Sequence, residues 1–219
     1  GGGIWSRLVG GIYAAWDSHW RVVGSLARIG VRDEEGNLSL VMDDEGAARL
    51  ATEHLIDLGH RRIGFIAGAS EYQLSAWREN GWREALEQAG LPSDGLSVKG
   101  DFSYNSGVAA AEELLSREPR PTAILASNDQ MAMATMDVAA ERGLAIPFDL
   151  SVVSFDNTPM TIFSQPPMTA IDQPIAATAS RAVELLIAAN RGDDLPGETE
   201  VVPARLVERG STALAPDGD

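Results

Sequence analysis

From about residue 40 onward, short apolar runs alternate with segments of helical periodicity, and this 219-residue chain is therefore expected to be an α/β protein. The apolar runs, IGFIAG and TAILAS among them, are continuous rather than alternating, as parallel strands covered on both faces are. Polar residues stand just beyond several of the runs: Arg78 after IGFIAG, Asp101 and Phe102 after LSVKG, Asn128 after TAILAS, Asp156 after LSVVSF. The C-terminal strand ends of an open α/β sheet line the crevice where ligands bind.

The first forty residues are the least regular. They hold one clear apolar run, VVGSLARI, an acidic turn, RDEEGN, and a weak helical pattern from Tyr13 to Trp20. Trp5, Trp16 and Trp20 read as packing residues. DDEGAARLATEHLIDLG is a helix with Asp43 or Asp44 at its N-cap, Ala47, Leu50, Ala51, His54, Leu55 and Leu58 on one stripe, and Gly59 as its stop. The strand RRIGFIAG follows, then the helix SAWRENGWREALEQAG ending at Gly90, then the strand GLSVKG. Asn105 or Ser106 caps the next helix, GVAAAEELLSRE, which Pro119 and Pro121 close. TAILAS, the helix DQMAMATMDVAAERG and the strands LSVVSF and MTAID come next. PIAATASRAVELLIAAN is a helix with Pro174 near its first position. RGDDLPGE is a turn, and EVVPARLVERG gives one or two final strands interrupted by Pro203.

Composition removes several function classes. The absence of cysteine excludes thiol catalysis, disulfides and cysteine-ligated metals. A formal net charge of −15 argues against direct contact with a phosphate backbone. Hydrophobic residues at 44% allow a sizeable core, yet no apolar run approaches the roughly 20 residues that span a bilayer. The start, GGGIWSRLVGG, lacks the basic and apolar regions of a signal peptide. His19, His54 and His60 are scattered without metal-ligand spacing, and His54 and His60 read as structural. There is no nucleophile elbow, no phosphate-binding loop and no dinucleotide fingerprint, so no catalytic residue, cofactor or metal is expected.

The strand-end residues suit a small polyhydroxylated ligand. Arg78 offers a planar fork that grips vicinal hydroxyls or a carboxylate; the alternative is a surface arginine paired with Glu79 or Glu84. Phe102 offers an aromatic face to the C–H face of a sugar or to a base, or else belongs to the core. Asn128 offers donor and acceptor together, with Asp129 as the helix cap; the alternative is that Asn128 itself caps. Asp156 accepts hydroxyl hydrogen bonds, or caps the turn Asn157-Thr158-Pro159.

From Asp43 to Ala213 the chain resembles the effector-binding core of the LacI/GalR (lactose-repressor) family of bacterial transcription regulators. The matching stretches are DDEGAARLATEHLIDLGHRRIGFIAG, WRENGWREALEQAG, PTAILASNDQMAMATMDVAAERGLAIPFDLSVVSFDNTP, PPMTAIDQP and PARLVERGSTA, in the family's order. The resemblance implies the periplasmic-binding-protein type I fold, two Rossmann-like parallel-sheet subdomains joined by crossovers with the effector in the cleft between them. It divides the chain into a partial N-terminal subdomain, 1–43 with 173–200, and a C-terminal subdomain, 44–172 with 201–219. VVGSLARIG matches the strand just before the crossover, so the N-terminal subdomain is expected to be incomplete and the operator-reading headpiece to be missing from this chain. Arg78, in the pattern Arg78-x-x-Gly81-Trp82, falls at the family's arginine, Phe102 at its aromatic after Gly-Asp, and Gln173 at a crossover position beside the cleft. Ser154 stands where the family usually has glycine.

The resemblance further implies a homodimer, for which the helices SAWRENGWREAL and DQMAMA are candidate surfaces, a cytoplasmic location with no membrane partner, and a small-molecule effector. One arginine beside an aspartate favours a neutral sugar over a phosphorylated one. A periplasmic sugar-binding protein of a transporter shares the fold and is the runner-up; an enzyme acting on a sugar or nucleotide lacks any supporting constellation.

Overall fold

The computed structural model describes residues 19–22, 25–29, 38–191, 193 and 200–216. In chain order the elements are β1 (His19–Val22), β2 (Ser25–Ile29), β3 (Leu38–Met42), α1 (Asp44–Asp57), β4 (Ile63–Ala67), α2 (Gln73–Gln88), β5 (Ser97–Lys99), α3 (Tyr104–Leu115), β6 (Ala123–Ala126), α4 (Asp129–Glu141), β7 (Ser151–Asp156), α5 (Met160–Phe163), β8 (Thr169–Asp172), α6 (Ile175–Arg191), β9 (Glu200–Val202) and β10 (Arg205–Val207). The described residues of Gly1–Asp43 and Pro174–Pro203 make one compact unit, and those of Asp44–Gln173 and Ala204–Asp219 a second, larger one.

The smaller unit is a four-stranded sheet in the order β1-β2-β3-β9. β1 and β2 pair antiparallel, whereas β2 with β3 and β3 with β9 are parallel. Leu40 of β3 packs with Ala182 and Leu185 of α6, and Leu186 and Val202 close around them. Two expectations are corrected here. Residues 13–18 of the suggested first helix lie outside the described residues, but its end, Trp20, is in strand β1. The strand leading into the larger unit is β3, LSLVM, and not VVGSLARIG, which supplies β2. Five residues wedged between Asn37 and Asp43 carried too little periodicity to be recognised. The turn RGDDLPGE lies outside the described residues apart from Arg191 and Asp193.

The larger unit holds a six-stranded sheet in the order β10-β8-β7-β6-β4-β5. β8 through β5 are parallel, and β10 is antiparallel at the edge. Every residue of β4 and β6 is buried, which is why these strands read as unbroken apolar runs. On one face Ile66, Ile124 and Val152 of the sheet meet Ala110, Leu114, Met131 and Ala139 of α3 and α4. The helices stop where glycine follows them: Gly59, Gly90 and Gly143 all have positive φ, of 93°, 68° and 72°. The cap of α3 is Ser103, whose hydroxyl accepts from the Ser106 N–H, and not Asn105 or Ser106; the helix starts three residues before the expected segment GVAAAEELLSRE. No helix among the described residues is long and apolar enough to cross a membrane.

Candidate functional site

The parallel strands β8, β7, β6, β4 and β5 all end at one edge of the larger sheet, and their first loop residues collect there. Arg78 reaches this edge from α2. Gly81, one turn further along, lets α2 press on α1: a Cβ at Gly81 would lie 2.0 Å from the Glu45 carbonyl oxygen. Trp82 fills the space beneath, its ring 5.5 Å from that of Phe65 and its Nε1–H donating to the Ile63 carbonyl. The Arg-x-x-Gly-aromatic pattern is thus the local geometry that delivers the guanidinium. Arg78 is 2% exposed, so the alternative of a surface arginine is wrong; Glu79 pairs with Arg83 and Glu84 with Arg49 instead. Its Nε donates to Asp44 Oδ1 at 2.7 Å, its Nη1 to the Ser127 carbonyl at 2.6 Å, and its guanidinium carbon sits 4.2 Å from the centre of the Phe155 ring. A buried guanidinium needs such partners, since removing a buried ion's counter-charge costs about 3–5 kcal/mol.

Asp156 ends β7 in the sheet's register opposite Asp172, and its φ of 93° lies in a region that side chains avoid. Gln173 Nε2 donates to its Oδ1 at 2.5 Å. Burial pushes the Asp156 carboxyl up to about 6; Arg78 opposes this, Asp129 and Asp44 reinforce it, and the Gln173 hydrogen bond draws it back. Asp129 is 2% exposed and accepts from Ser154 Oγ, the Thr158 N–H and Thr158 Oγ1, each at 2.7 Å. The serine at position 154, where the resemblance leads one to expect glycine, therefore supplies a hydroxyl to this carboxylate. Thr158 is tied by Asp129, so Asp156 is not the cap of its own turn.

Phe102 and Asn128 form the other half of the edge. Phe102 has φ of 70°, and its ring lies on Gly68 so closely that a Cβ there would fall 2.0 Å from Phe102 Cζ. The Tyr72 ring stands 6.0 Å away at 54°. Asn128 is the N-cap of α4, accepting from the Met131 N–H at 2.9 Å, and its Nδ2 donates to the Phe102 carbonyl at 2.8 Å. This corrects the assignment of the cap to Asp129, whose carboxylate is spent on Ser154 and Thr158. The residues thus fall into two groups, Arg78 with Asp156 and Gln173, and Phe102 with Asn128, joined through the first turn of α4 at Asn128–Asp129.

Asp44 pairs with Arg78, and Asp156 lies in the field of Arg78, Asp129 and Asp44, so three carboxylates share the edge with one guanidinium and leave an excess of negative charge there. Such a site suits hydroxyl donors and repels phosphates. Sequence reasoning missed Asp44 and Asp129 as members. Asp44 meets Arg78 across 34 residues, a pairing no local spacing shows. Phe102, Asp156 and Asn157 have positive φ without being glycine, and all lie at this edge. Each such residue costs about 1–3 kcal/mol and persists where its surroundings impose it, which is typical of ligand sites. Among the described residues, no three His, Asp or Glu side chains are grouped to hold a metal ion.

Residues 52–212 match the family model of the periplasmic binding protein-like domain. The chain is 40% identical over 181 residues to the HTH-type transcriptional regulator CelR of Thermobifida fusca, covering 82% of this chain and 51% of that protein. The solved structure of a transcriptional regulator CelR–cellobiose complex superimposes with a TM-score of 0.76 at 29% identity, over 95% of this chain and 71% of that one. A lac repressor dimer bound to operator and the anti-inducer ONPF gives 0.80 at 30% identity, over 88% and 66%. The chain belongs to the periplasmic-binding-protein-like family, in its LacI/GalR branch. It spans about half the length of the curated relatives it matches.

Proposed function

We propose that this chain is the effector-sensing core of a LacI-type transcriptional regulator, and that its effector is a neutral sugar held by Arg78, Phe102, Asn128, Asp156 and Gln173. The observation that carries the reading is Asp156: a partly buried carboxylate in a strained backbone, at a strand's C-terminal end, beside Gln173 and in the field of Arg78. Its second oxygen accepts sugar hydroxyls, Arg78 holds the local charge in place, and Phe102 offers its face to the sugar's C–H side. The anionic surroundings work against sugar phosphates. The cellobiose complex of the CelR relative supports a sugar, and the regulator names of the relatives favour this reading over a transporter's binding protein.

In this reading the chain binds and does not catalyse. Sugar binding differs between two states of the protein and biases operator affinity through a headpiece outside this chain, in the cytoplasm. The two compact units serve as the two subdomains of the effector core. The working form is a homodimer, as the lac repressor relative is. Of the apolar residues of α2, Trp82, Ala85 and Leu86 are buried within the larger unit, Leu74 and Trp77 are half-buried and Ala76 alone is exposed, beside Gln73, Asn80, Glu87 and Gln88, which makes it a poor dimer face. The exposed Met160, Ile162 and Phe163, beside the groove that Met133, Asp137 and Ala140 of α4 form with Pro166, are the better surface.

The test is a thermal-shift series with cellobiose, neutral monosaccharides and their phosphates. A ligand that binds only the folded chain raises the midpoint with its concentration. A rise with a neutral sugar that Asp156→Ala abolishes supports the reading; a rise with phosphorylated sugars alone overturns it.

A further inference from the structure

The site's contacts run one residue past Asp156. Asn157 has φ of 58°, so two consecutive non-glycine residues at the end of β7 are left-handed. Asn157 sits within the left-handed well that asparagine and aspartate both visit, but φ of 93° carries Asp156 beyond it, and the Asp156 side chain is committed to Gln173. Something next to Asp156 must therefore hold it.

The Asn157 amide is engaged on both sides. Its Nδ2 donates to Asp172 Oδ1 at 2.8 Å, and its Oδ1 accepts from Arg209 Nη2 at 2.7 Å and from Thr161 Oγ1 at 3.3 Å. Arg209 belongs to the closing LVERGSTA stretch, a distinctive part of the sequence to which the effector contacts assign no role. It is itself anchored: Nη1 donates to the Met168 carbonyl at 2.6 Å, and its backbone N–H to Thr169 Oγ1 at 2.9 Å. Asp172 is the register partner of Asp156 and the residue before Gln173, and it also accepts from Arg205 Nε at 2.8 Å. One amide thus ties the end of β7, which carries Asp156, to the end of β8, which carries Gln173.

We propose that Asn157, clamped between Asp172 and Arg209, is the positioning residue that imposes the left-handed turn at Asp156 and aims its carboxylate at Gln173 and the effector. Asn157 itself touches no ligand. The inference rests on the reading of Asp156 as an effector contact, but its geometry can be tested without any effector.

The experiment is a carbon-detected pH titration of the aspartate carboxyls in the whole chain and in Asn157→Gly and Arg209→Lys. Glycine accepts φ of 58° freely but has no amide, and lysine keeps the charge but not the fork. In the parent chain Asp156 should titrate at about 6 because it is buried, and Asp172 below the usual carboxylate range chiefly because Asn157 donates to it. In both variants the Asp156 midpoint should drop toward the ordinary range as water reaches it, and cellobiose affinity should fall at least tenfold. If Asp156 keeps its midpoint in either folded variant while Asp172 moves, Asn157 only braces the turn and the proposal is wrong. An ordinary Asp156 midpoint in the parent chain overturns it as well. If the parent fails to bind cellobiose, that bears on the choice of sugar and leaves the titration result standing.

Discussion

The two ends of the six-stranded sheet solve the same problem in opposite ways. At the N-terminal end, His60 is fully buried between the Thr122 hydroxyl at 2.9 Å, the Ser151 hydroxyl at 3.0 Å and the Ala213 carbonyl at 3.2 Å. A neutral imidazole with its proton on Nε2 satisfies all three, donating toward Ala213 and Ser151 and accepting from Thr122. Thr169 and His54 meet Thr212 nearby, so the C-terminal segment is stitched on by neutral groups. At the C-terminal end carboxylates and a guanidinium stand among the polar groups, and the backbone is left-handed at Phe102, Asp156 and Asn157. One end holds a buried imidazole among neutral partners; the other gathers negative charge and left-handed backbone. That difference supports the proposed placement of the effector site without reference to any relative.

Breaking the charged end should cost the most. Asp44→Ala strands the buried Arg78 guanidinium, and urea unfolding should show a loss of about 3–5 kcal/mol. A loss under about 1 kcal/mol would mean that Arg78 finds other partners and that the charge balance described is not binding.

The next effect has the opposite sign. The Asp156 carboxyl titrates at about 6 when folded against 3.8 for the free group. The folded chain therefore binds this proton more tightly than the unfolded chain. The stability it contributes is complete below about pH 4 and is lost as pH rises through about 6. Asp156→Asn removes the cost of the buried charge, so at pH 7 the variant should be roughly 2–3 kcal/mol more stable than the parent, with the gain vanishing below about pH 4. The same change should abolish sugar binding. Stability against pH, measured by denaturant unfolding at several pH values, checks the sign; a destabilised variant at pH 7 would contradict it.

At the neutral end, Ser151→Ala leaves His60 and the Ala213 N–H short of a partner and should cost about 1–2 kcal/mol, with sugar affinity unchanged. Isothermal titration on this variant sharpens the contrast, since a loss of affinity would show that the two ends are coupled. The smallest effect on folding is expected from Phe163→Glu, an exposed position, within about 0.5 kcal/mol. Sedimentation should nonetheless show the dimer weakened; an unchanged mass would remove this surface from the interface.

The strand and helix order of the larger unit was legible because its parallel strands are uniformly apolar and its helices carry both a stripe and a glycine stop. Caps were not. Ser103 and Asn128 act as caps where Asn105 or Ser106, and Asp129, were expected, because several polar residues crowd each helix start and only the hydrogen-bond geometry chooses among them. β3 went unseen because five residues in an irregular region give no periodicity. At the C-terminal edge, strand-end position picked out Phe102, Asn128 and Asp156, whereas Arg78 arrives from within α2 and was singled out by its Arg-x-x-Gly-aromatic pattern as well. The partners Asp44 and Asn157 escaped because their contacts, to Arg78 and to Arg209, join residues 34 and 52 positions apart.

The central claim is that the charged strand ends bind a neutral sugar through Asp156. Isothermal titration of the chain and of Asp156→Asn with cellobiose and the neutral monosaccharides tests it most directly. The account expects saturable binding of at least one neutral sugar by the parent chain and none by the variant, although the variant is the more stable of the two at pH 7. Equal binding by both would contradict it.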